Sequence, residues 1–331
     1  MKVLVTGGAG FIGSVTVKKL LQSHHGVVVI DDLENGHREA VDPSVPLVVG
    51  DLRQPEFLDE LLRQGRFDAV IHFAGYIESG QSMQDPLKFF ENNFSGGLNL
   101  LNALNKFGPK RVIFSSTAGI YGNGQPPYTE ESPIDTTSYY SMSKYFFEQA
   151  LKSAVFAYGF KVVILRYFNA AGALQDGSLG EDHHPETHLI PLVIKTALGL
   201  REELHLYGTD YPTADGTAVR DYIHVEDLAE AHVLALTKFS QDHFFEIYNV
   251  GTGEGYSNAQ VIEMVKRVAG SDFKVLPKER RVGDWASSFA DPGKIRKDLG
   301  WKSRYGLKDI VESAYLWHKN NLGGFNVPKN T

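Results

Sequence analysis

Tyr140 and Lys144 stand four residues apart in the stretch YYSMSK. On a helix that spacing puts both side chains on one face, whereas Tyr139 points elsewhere. A phenol beside an ammonium can act as a general base toward a hydroxyl if its ionisation is brought down. Tyrosine titrates near about 10, so work near neutrality requires roughly 4 kcal/mol of preferential phenolate stabilisation. A neighbouring cation and a hydroxyl donor both favour phenolate, and FSSTAGIYG supplies Thr117 as that donor. The spacing alone is not diagnostic, because Tyr315 and Lys319 repeat it. That second copy lies in an ordinary amphipathic pattern with neither a strand nor a glycine-rich turn ahead of it. Context therefore selects Tyr140, with Lys144 as its partner and Thr117 as the hydroxyl.

A helix-borne base needs a frame, and the first half of the chain describes one. KVLVT (2–6), VVVI (27–30), LVVG (47–50), AVIHF (69–73), RVIFSS (111–116) and KVVILRY (161–167) are nearly continuous apolar runs. Strands buried on both faces look like this and belong to parallel sheets. Helical patterns over 11–22, 54–64, 87–107 and 138–157 separate them. Repeated β–α–β units predict an α/β fold, a doubly wound Rossmann-like parallel sheet. Beyond about residue 170 the pattern loosens into loops rich in Gly, Asp, Thr and Pro, which predicts a smaller mixed α/β substrate domain. DYIHV and FFEIYNV are expected to extend the main sheet, so the second domain is split. The expected division is 1–168 plus about 221–250 for one domain and 169–220 plus about 251–331 for the other. Only the tail GGFNVPKNT reads as loosely held.

Gly7, Gly10 and Gly13 in VLVTGGAGFIGS follow the first strand and open the first helix. Such a turn brings backbone close to a pyrophosphate and aims free helix N–H groups at it. Asp31 ends the second strand 18 residues past Gly13, where an acid accepts from ribose hydroxyls. No arginine follows until Arg38, so a 2′-phosphate would meet carboxylates unpaired, and the expected cofactor is NAD rather than NADP. Asp51 and Leu52 after the third strand, and Phe73, Ala74 and Gly75 after the fourth, share the same ligand-binding edge. Phe11, Ile12, Asn92, Tyr167, Tyr140 and Lys144 complete the expected cofactor shell.

Composition narrows the ligands. With 42% hydrophobic and 22% charged residues the chain reads as a globular protein, and its net charge of −7 argues against nucleic acid. The absence of cysteine excludes disulfides, thiolate catalysis and Cys-based zinc sites. The N-terminus reaches glycines too early for a signal-peptide core, and no apolar run approaches the ~18 residues of a membrane span. The expectation is a soluble cytoplasmic protein with no membrane partner. HHPETH offers His183, His184 and His188, but Pro185 breaks any regular helix there. No metal is expected, and His188 is assigned a structural or substrate-side role.

VTGGAGFIGS, HFAG, FSSTAGIYG, YYSMSK, RYFNAAGA, GEDHHPETHLIP, YGTDYPTADGTAVRDYIHVEDLAEAH, YNVGTGEGYS and RRVGDWASSFAD together resemble the extended short-chain dehydrogenase/reductase family. Within it the likeness is to the UDP-galactose (UDP-glucose) 4-epimerases, over nearly the whole chain. The dinucleotide motifs mark the superfamily; the segments from RYFNAAGA onward are more specific.

The resemblance implies NAD-dependent inversion at C4 of a UDP-hexose through a transient 4-keto sugar. It makes Tyr140 the base, Lys144 its partner and a holder of the nicotinamide ribose, and Thr117 the hydroxyl on the reacting oxygen. Asn169, Arg220 and Arg281 are implied on the UDP diphosphate and Asp284 on the uridine ribose, with His188, Leu189, Tyr207 and Ser288 completing the substrate shell. Two guanidinium forks suit a diphosphate. A small residue at Ser288 is associated in this family with admitting N-acetylated sugars, so UDP-GlcNAc and UDP-GalNAc enter as substrates. IESGQS (77–82) departs from the usual pattern beside the sugar pocket. Related dehydratases and decarboxylases carry an acid beside the hydroxyl residue, where this chain has Ala118 and Gly119. A UDP-pentose 4-epimerase and a noncatalytic NAD-binding sensor are the alternatives. The resemblance further implies a homodimer paired through the helices at about 87–107 and 138–157.

Overall fold

The computed structural model describes residues 1–239, 244–281 and 283–326. Its central sheet contains β1 (Lys2–Thr6), β2 (Gly26–Asp31), β3 (Leu47–Val49), β4 (Ala69–His72), β5 (Arg111–Thr117), β6 (Lys161–Tyr167) and β11 (Phe245–Val250). All pairings are parallel, in the order β3-β2-β1-β4-β5-β6-β11. The order reverses on either side of β1, opening a crevice at the strands' C-terminal ends.

Alternation explains the continuous apolar runs. Val3, Val5, Val163 and Leu165 enter the core on one face, while Leu4, Val162 and Ile164 enter the core on the other. The first face is covered by α1 (Phe11–Gln22) and α6 (Val225–Ala235), through Val17, Leu20, Leu228 and Ala231. The second is covered by α2 (Pro55–Gln64), α3 (Gly96–Phe107) and α4 (Tyr139–Tyr158), through Leu58, Leu100, Leu104, Phe147 and Leu151. Ser138 caps α4, its side chain accepting from the Ser141 N–H at 3.2 Å, which sets where the helix bearing Tyr140 begins.

A further core lies beyond the crevice. Here α5 (Leu189–Ala197), α7 (Asn258–Ala269) and α8 (Leu307–Asn320) bury Val193, Ile194, Val261, Val265, Ile310 and Val311 together. Short strands edge it. β7 (Asn169–Ala171) pairs with β10 (Tyr222–His224), and β8 (Leu204–Tyr207) with β13 (Val275–Lys278). β9 (Val219–Arg220) runs between β12 (Tyr256–Ser257) and β14 (Ser287–Ser288). Tyr315 and Lys319 lie in α8, away from the sheet edge, as the context of that second pair suggested.

Three features differ from the sequence reading. DYIHV forms β10, which joins β7 instead of the main sheet; FFEIYNV does extend that sheet. The partner is chosen across the fold: the three buried residues of β10 find β7 some fifty residues earlier, and α6 follows at once, its N-terminus capped by His224 accepting from the Glu226 N–H. The helix expected over 87–107 contains a π-helical turn, Phe90–Ser95, between Pro86–Phe89 and α3. That turn re-aims Asn92 and Asn93, as π-bulges at functional sites do. The tail is held as far as it is described: the Phe325 N–H donates to Asp182 Oδ2 at 3.0 Å and its ring packs against Trp317 and His37. Residues 327–331 of GGFNVPKNT lie outside the described residues. No described helix is long and apolar enough to cross a membrane.

Candidate active site

A cavity of about 320 Å³ occupies the crevice. Its floor is the turn between β1 and α1, held by the Gly7 N–H donating to Ile30 O at 2.8 Å. Gly7 adopts φ +72°, a conformation L side chains rarely take, and an added Cβ would lie 2.5 Å from Ala74 N. At Gly13 a Cβ would fall 2.1 Å from Gly7 O, so turn and helix can approach only without one. Gly10 is open by contrast, with only Gly7 O at 3.5 Å. No side chain caps α1, which leaves its first-turn N–H groups available to an anion.

Asp31, at the tip of β2, accepts from the Ala9 N–H on Oδ2 and the Leu33 N–H on Oδ1, both at 2.9 Å. Each oxygen keeps a lone pair for a ribose hydroxyl. Burial raises its pKa, against the backbone donors. Asp32 and Glu34 line the same end, an acidic setting hostile to a 2′-phosphate. Turn, helix terminus and acid fit an NAD-type dinucleotide. Gly13→Ala is expected to open the turn and weaken NAD binding about tenfold or more, read by equilibrium dialysis. Affinity within twofold of the parent would show that the turn is not the cradle.

Every cofactor candidate except Lys144 lines this cavity, from Gly7, Gly10, Phe11, Ile12, Gly13 and Asp31 through Asp51, Leu52, Phe73, Ala74, Gly75 and Asn92 to Tyr140 and Tyr167. Thr117 and Tyr140 meet at its inner end, from the tip of β5 and the first turn of α4. Burial pushes the Tyr140 phenol well above its ordinary value, Tyr167 and Glu78 add to that, and the Thr117 hydroxyl opposes it. Lys144 stands directly beside the cavity lining, its Nζ next to Gly75. It is buried behind the cavity wall, its ammonium donates to Ser115 O at 3.3 Å, and burial lowers its pKa to about 8. The reason is packing: Gly75 leaves room only for the lysine tip, and a Cβ there would lie 3.2 Å from Nζ. Asn93 closes the same wall, accepting from the Tyr76 N–H at 2.8 Å and donating to Ser143 Oγ at 3.1 Å.

A second cavity of about 210 Å³ adjoins the first, and Asn169 and His188 line both. Leu189, Tyr207, Arg220, Arg281 and Asp284 face it as well. Arg220 lies over the Trp285 ring at 5.6 Å, and Arg281 over Tyr207 at 5.0 Å. Arg281 also pairs with Asp284 at 3.2 Å, a contact that must loosen if the two take separate ligand groups. Next to Arg220, Asp221 is fully buried and accepts from the backbone of Thr252, Gly253 and Ala290, fixing the strand that aims the guanidinium. Ser288 lines neither cavity; it is buried in β14, in register with Arg220.

The sequence reading missed several wall residues. Glu78 is a carboxylate beside Tyr140, legible only as part of the unusual IESGQS stretch. Glu34 accepts from the Tyr76 hydroxyl at 2.6 Å and had no local signal. Among the histidines, His183 and His188 converge with Glu181 and Glu186, while His184 stays exposed. A count of histidines in HHPETH could not show this.

Comparison with known proteins gives the family of the whole chain. Residues 3–251 match the family described as NAD dependent epimerase/dehydratase. A UDP-glucose 4-epimerase of Lacticaseibacillus casei is 46% identical over 327 residues, 98% of this chain and 99% of that protein. The structure of UDP-glucose 4-epimerase from Bifidobacterium longum in complex with NAD+ and UDP superposes with a TM-score of 0.94 at 39% identity, covering 98% of this chain and all of that one. The UDP-Glc/GlcNAc 4-epimerase of Campylobacter jejuni gives a TM-score of 0.84 at 40% identity, covering 96% and 99%. With its glycine turn, its acid at the tip of β2 and its tyrosine–threonine pair, the chain belongs to the NAD dependent epimerase/dehydratase family.

Proposed function

We propose that the chain inverts C4 of a UDP-hexose, interconverting UDP-galactose and UDP-glucose. The observation that carries this reading is the shared wall: a dinucleotide cradle ending at Thr117 and Tyr140 opens through Asn169 and His188 onto a cavity lined by Arg220 and Arg281. Bound NAD+ supplies a reversible hydride acceptor at C4 and a positive ring charge. Tyr140 Oη takes the proton of the sugar 4-hydroxyl as C4 becomes a ketone and later returns it to O4; the inversion would come from hydride return to the other face of C4. Thr117 donates to the reacting oxygen. Lys144 would hold the nicotinamide ribose, and its ammonium would favour the phenolate of Tyr140. Arg220, Arg281 and Asn169 hold the diphosphate, Asp284 the uridine ribose, and Leu189 and Tyr207 the walls. Binding energy sits remote from C4, which leaves the sugar free to present either face. In this division residues 1–168 and about 221–250, apart from β10, which pairs with β7, serve the cofactor and the remainder serves the UDP-sugar.

The test is an NMR time course of purified chain with UDP-galactose, without and then with added NAD. Conversion to UDP-glucose supports the proposal. A silent spectrum in both arms overturns it in favour of a UDP-pentose or of NAD binding without turnover.

N-acetylated sugars belong to the proposal because a structural neighbour carries the UDP-Glc/GlcNAc description and residue 288, outside both cavities but in register with Arg220, is small. Ser288→Tyr is expected to cut the UDP-GlcNAc rate roughly tenfold or more while sparing UDP-galactose. Equal losses on both sugars would reduce the effect to overpacking. Homodimer formation is also proposed. Phe90, Phe94 and Phe146 cluster at ring separations of 5.9 Å on the helices expected to pair, and Leu87, Phe146 and Phe156 are exposed nearby. Light scattering at the mass of one chain would refute it. A cytoplasmic setting completes the proposal.

A further inference from the structure

We propose that Glu181, His183, Glu186 and His188 form a closed binding site for one divalent transition-metal ion, zinc by the chemistry of its donors. One ligand atom from each residue lies within 4.8 Å of the others. His188 Nδ1 and His183 Nδ1 approach the same Glu181 Oε1, at 2.5 and 3.3 Å. Glu186 Oε1 stands 3.8 Å from His188 Nδ1 but already accepts from the Thr187 and His188 N–H groups, both at 2.8 Å, which leaves Oε2, 3.9 Å from His183 Nδ1, as the donor to an ion. A tetrahedron built on metal bonds of about 2.0–2.1 Å has edges of about 3.3 Å, so these separations bracket the spacing an ion imposes.

A second observation points the same way. The Glu186 side chain is only 5% exposed, yet its Oε2 has no hydrogen-bond partner. A buried carboxylate oxygen left unpaired is costly, and an ion at the centre of the four groups would satisfy it. The donors converge from a non-helical segment: residues 181–188 lie between β7 and α5, folded around a common point. His184 does not take part; its Nδ1 lies 2.7 Å from the His183 carbonyl oxygen, and the residue is exposed.

Two imidazoles and two carboxylates suit zinc, which accepts mixed nitrogen and oxygen donors in four-coordination. Calcium and magnesium prefer six or more oxygens. With all four positions filled by protein, the ion has no open site for chemistry and acts structurally. His183 faces the cofactor cavity, Glu181 the adjoining one and His188 both, so the ion would clip the wall between them. This goes beyond the epimerase reading and does not depend on it. The competing arrangement is two imidazolium groups neutralising two carboxylates with no ion.

The experiment titrates tag-free, chelator-stripped chain with Co2+, followed by visible absorption and calorimetry. The expected result is one ion per chain, with the strong d–d bands of four-coordinate cobalt, displaced by one equivalent of Zn2+, and a higher Tm in the loaded chain. His183→Ala and Glu186→Gln should each weaken Co2+ binding at least tenfold and remove the bands, whereas His184→Ala should leave both unchanged. Absence of stoichiometric binding in the parent chain overturns the site without any variant. Binding that survives both substitutions, or that is lost in His184→Ala, overturns it as well.

Discussion

Replacing Tyr140 by Phe is expected to lower kcat for UDP-galactose by about 10²- to 10⁴-fold while the chain keeps its fold and its NAD. The change removes one oxygen from a side chain at the inner end of the cofactor cavity and leaves the ring that packs there. The size of the loss follows from the role: without Oη no group in contact with the reacting hydroxyl can take its proton, because Thr117 titrates far too high. Lys144 cannot substitute, since an ammonium has no lone pair to accept the proton. The comparison that decides is kcat beside bound NAD, the latter measured by release on denaturation. A Phe variant with unchanged NAD and turnover within tenfold of the parent would remove Tyr140 from the chemistry. Loss of NAD together with turnover would instead make it a binding residue.

The second large effect concerns stability. Glu148 lies one helical turn beyond Lys144 and two beyond Tyr140, on the same face of α4. Its carboxylate takes both forks of Arg166, Nε at 3.1 Å and Nη2 at 2.6 Å, and also accepts from Ser116 Oγ at 2.5 Å. Arg166 Nη1 then donates to the Tyr121 hydroxyl at 3.0 Å, and that hydroxyl to Asn249 Oδ1 at 2.7 Å. The network ties α4 to β5, β6 and β11 and sets the rotation of the helix that presents Tyr140. Both charged side chains are almost fully buried, at 1% and 3% exposure. Glu148→Ala is expected to cost about 3–5 kcal/mol, because it strands a guanidinium in an apolar interior. Urea unfolding measures this directly. The double change Glu148→Leu with Arg166→Met should recover most of the loss, since an apolar pair carries no desolvation penalty. A single variant within about 1 kcal/mol of the parent would contradict the network.

Much of this arrangement was legible from the chain alone because it is local. The sheet strands show as apolar runs, since burial on both faces acts on each residue of a strand. The glycine turn shows because close backbone approach excludes a Cβ at Gly7 and Gly13. Tyr140 and Lys144 share a face because 3.6 residues make a turn, and Ser138 starts their helix by bonding three residues ahead. What the tertiary structure alone decided depends on segments distant in sequence. β10 turned from the main sheet to β7, its partner some fifty residues earlier, when α6 began directly behind it. Lys144 turned toward Ser115 because Gly75, on another strand's loop, left it that space. Ser288 sank beside Arg220 through pairing between β14 and β9. Glu181 and Glu186 joined His183 and His188 because an irregular loop folded on itself between two cavities. Periodicity and propensity act over one or two turns of chain, whereas the partners of a buried charge or a short strand are chosen by packing across the whole fold.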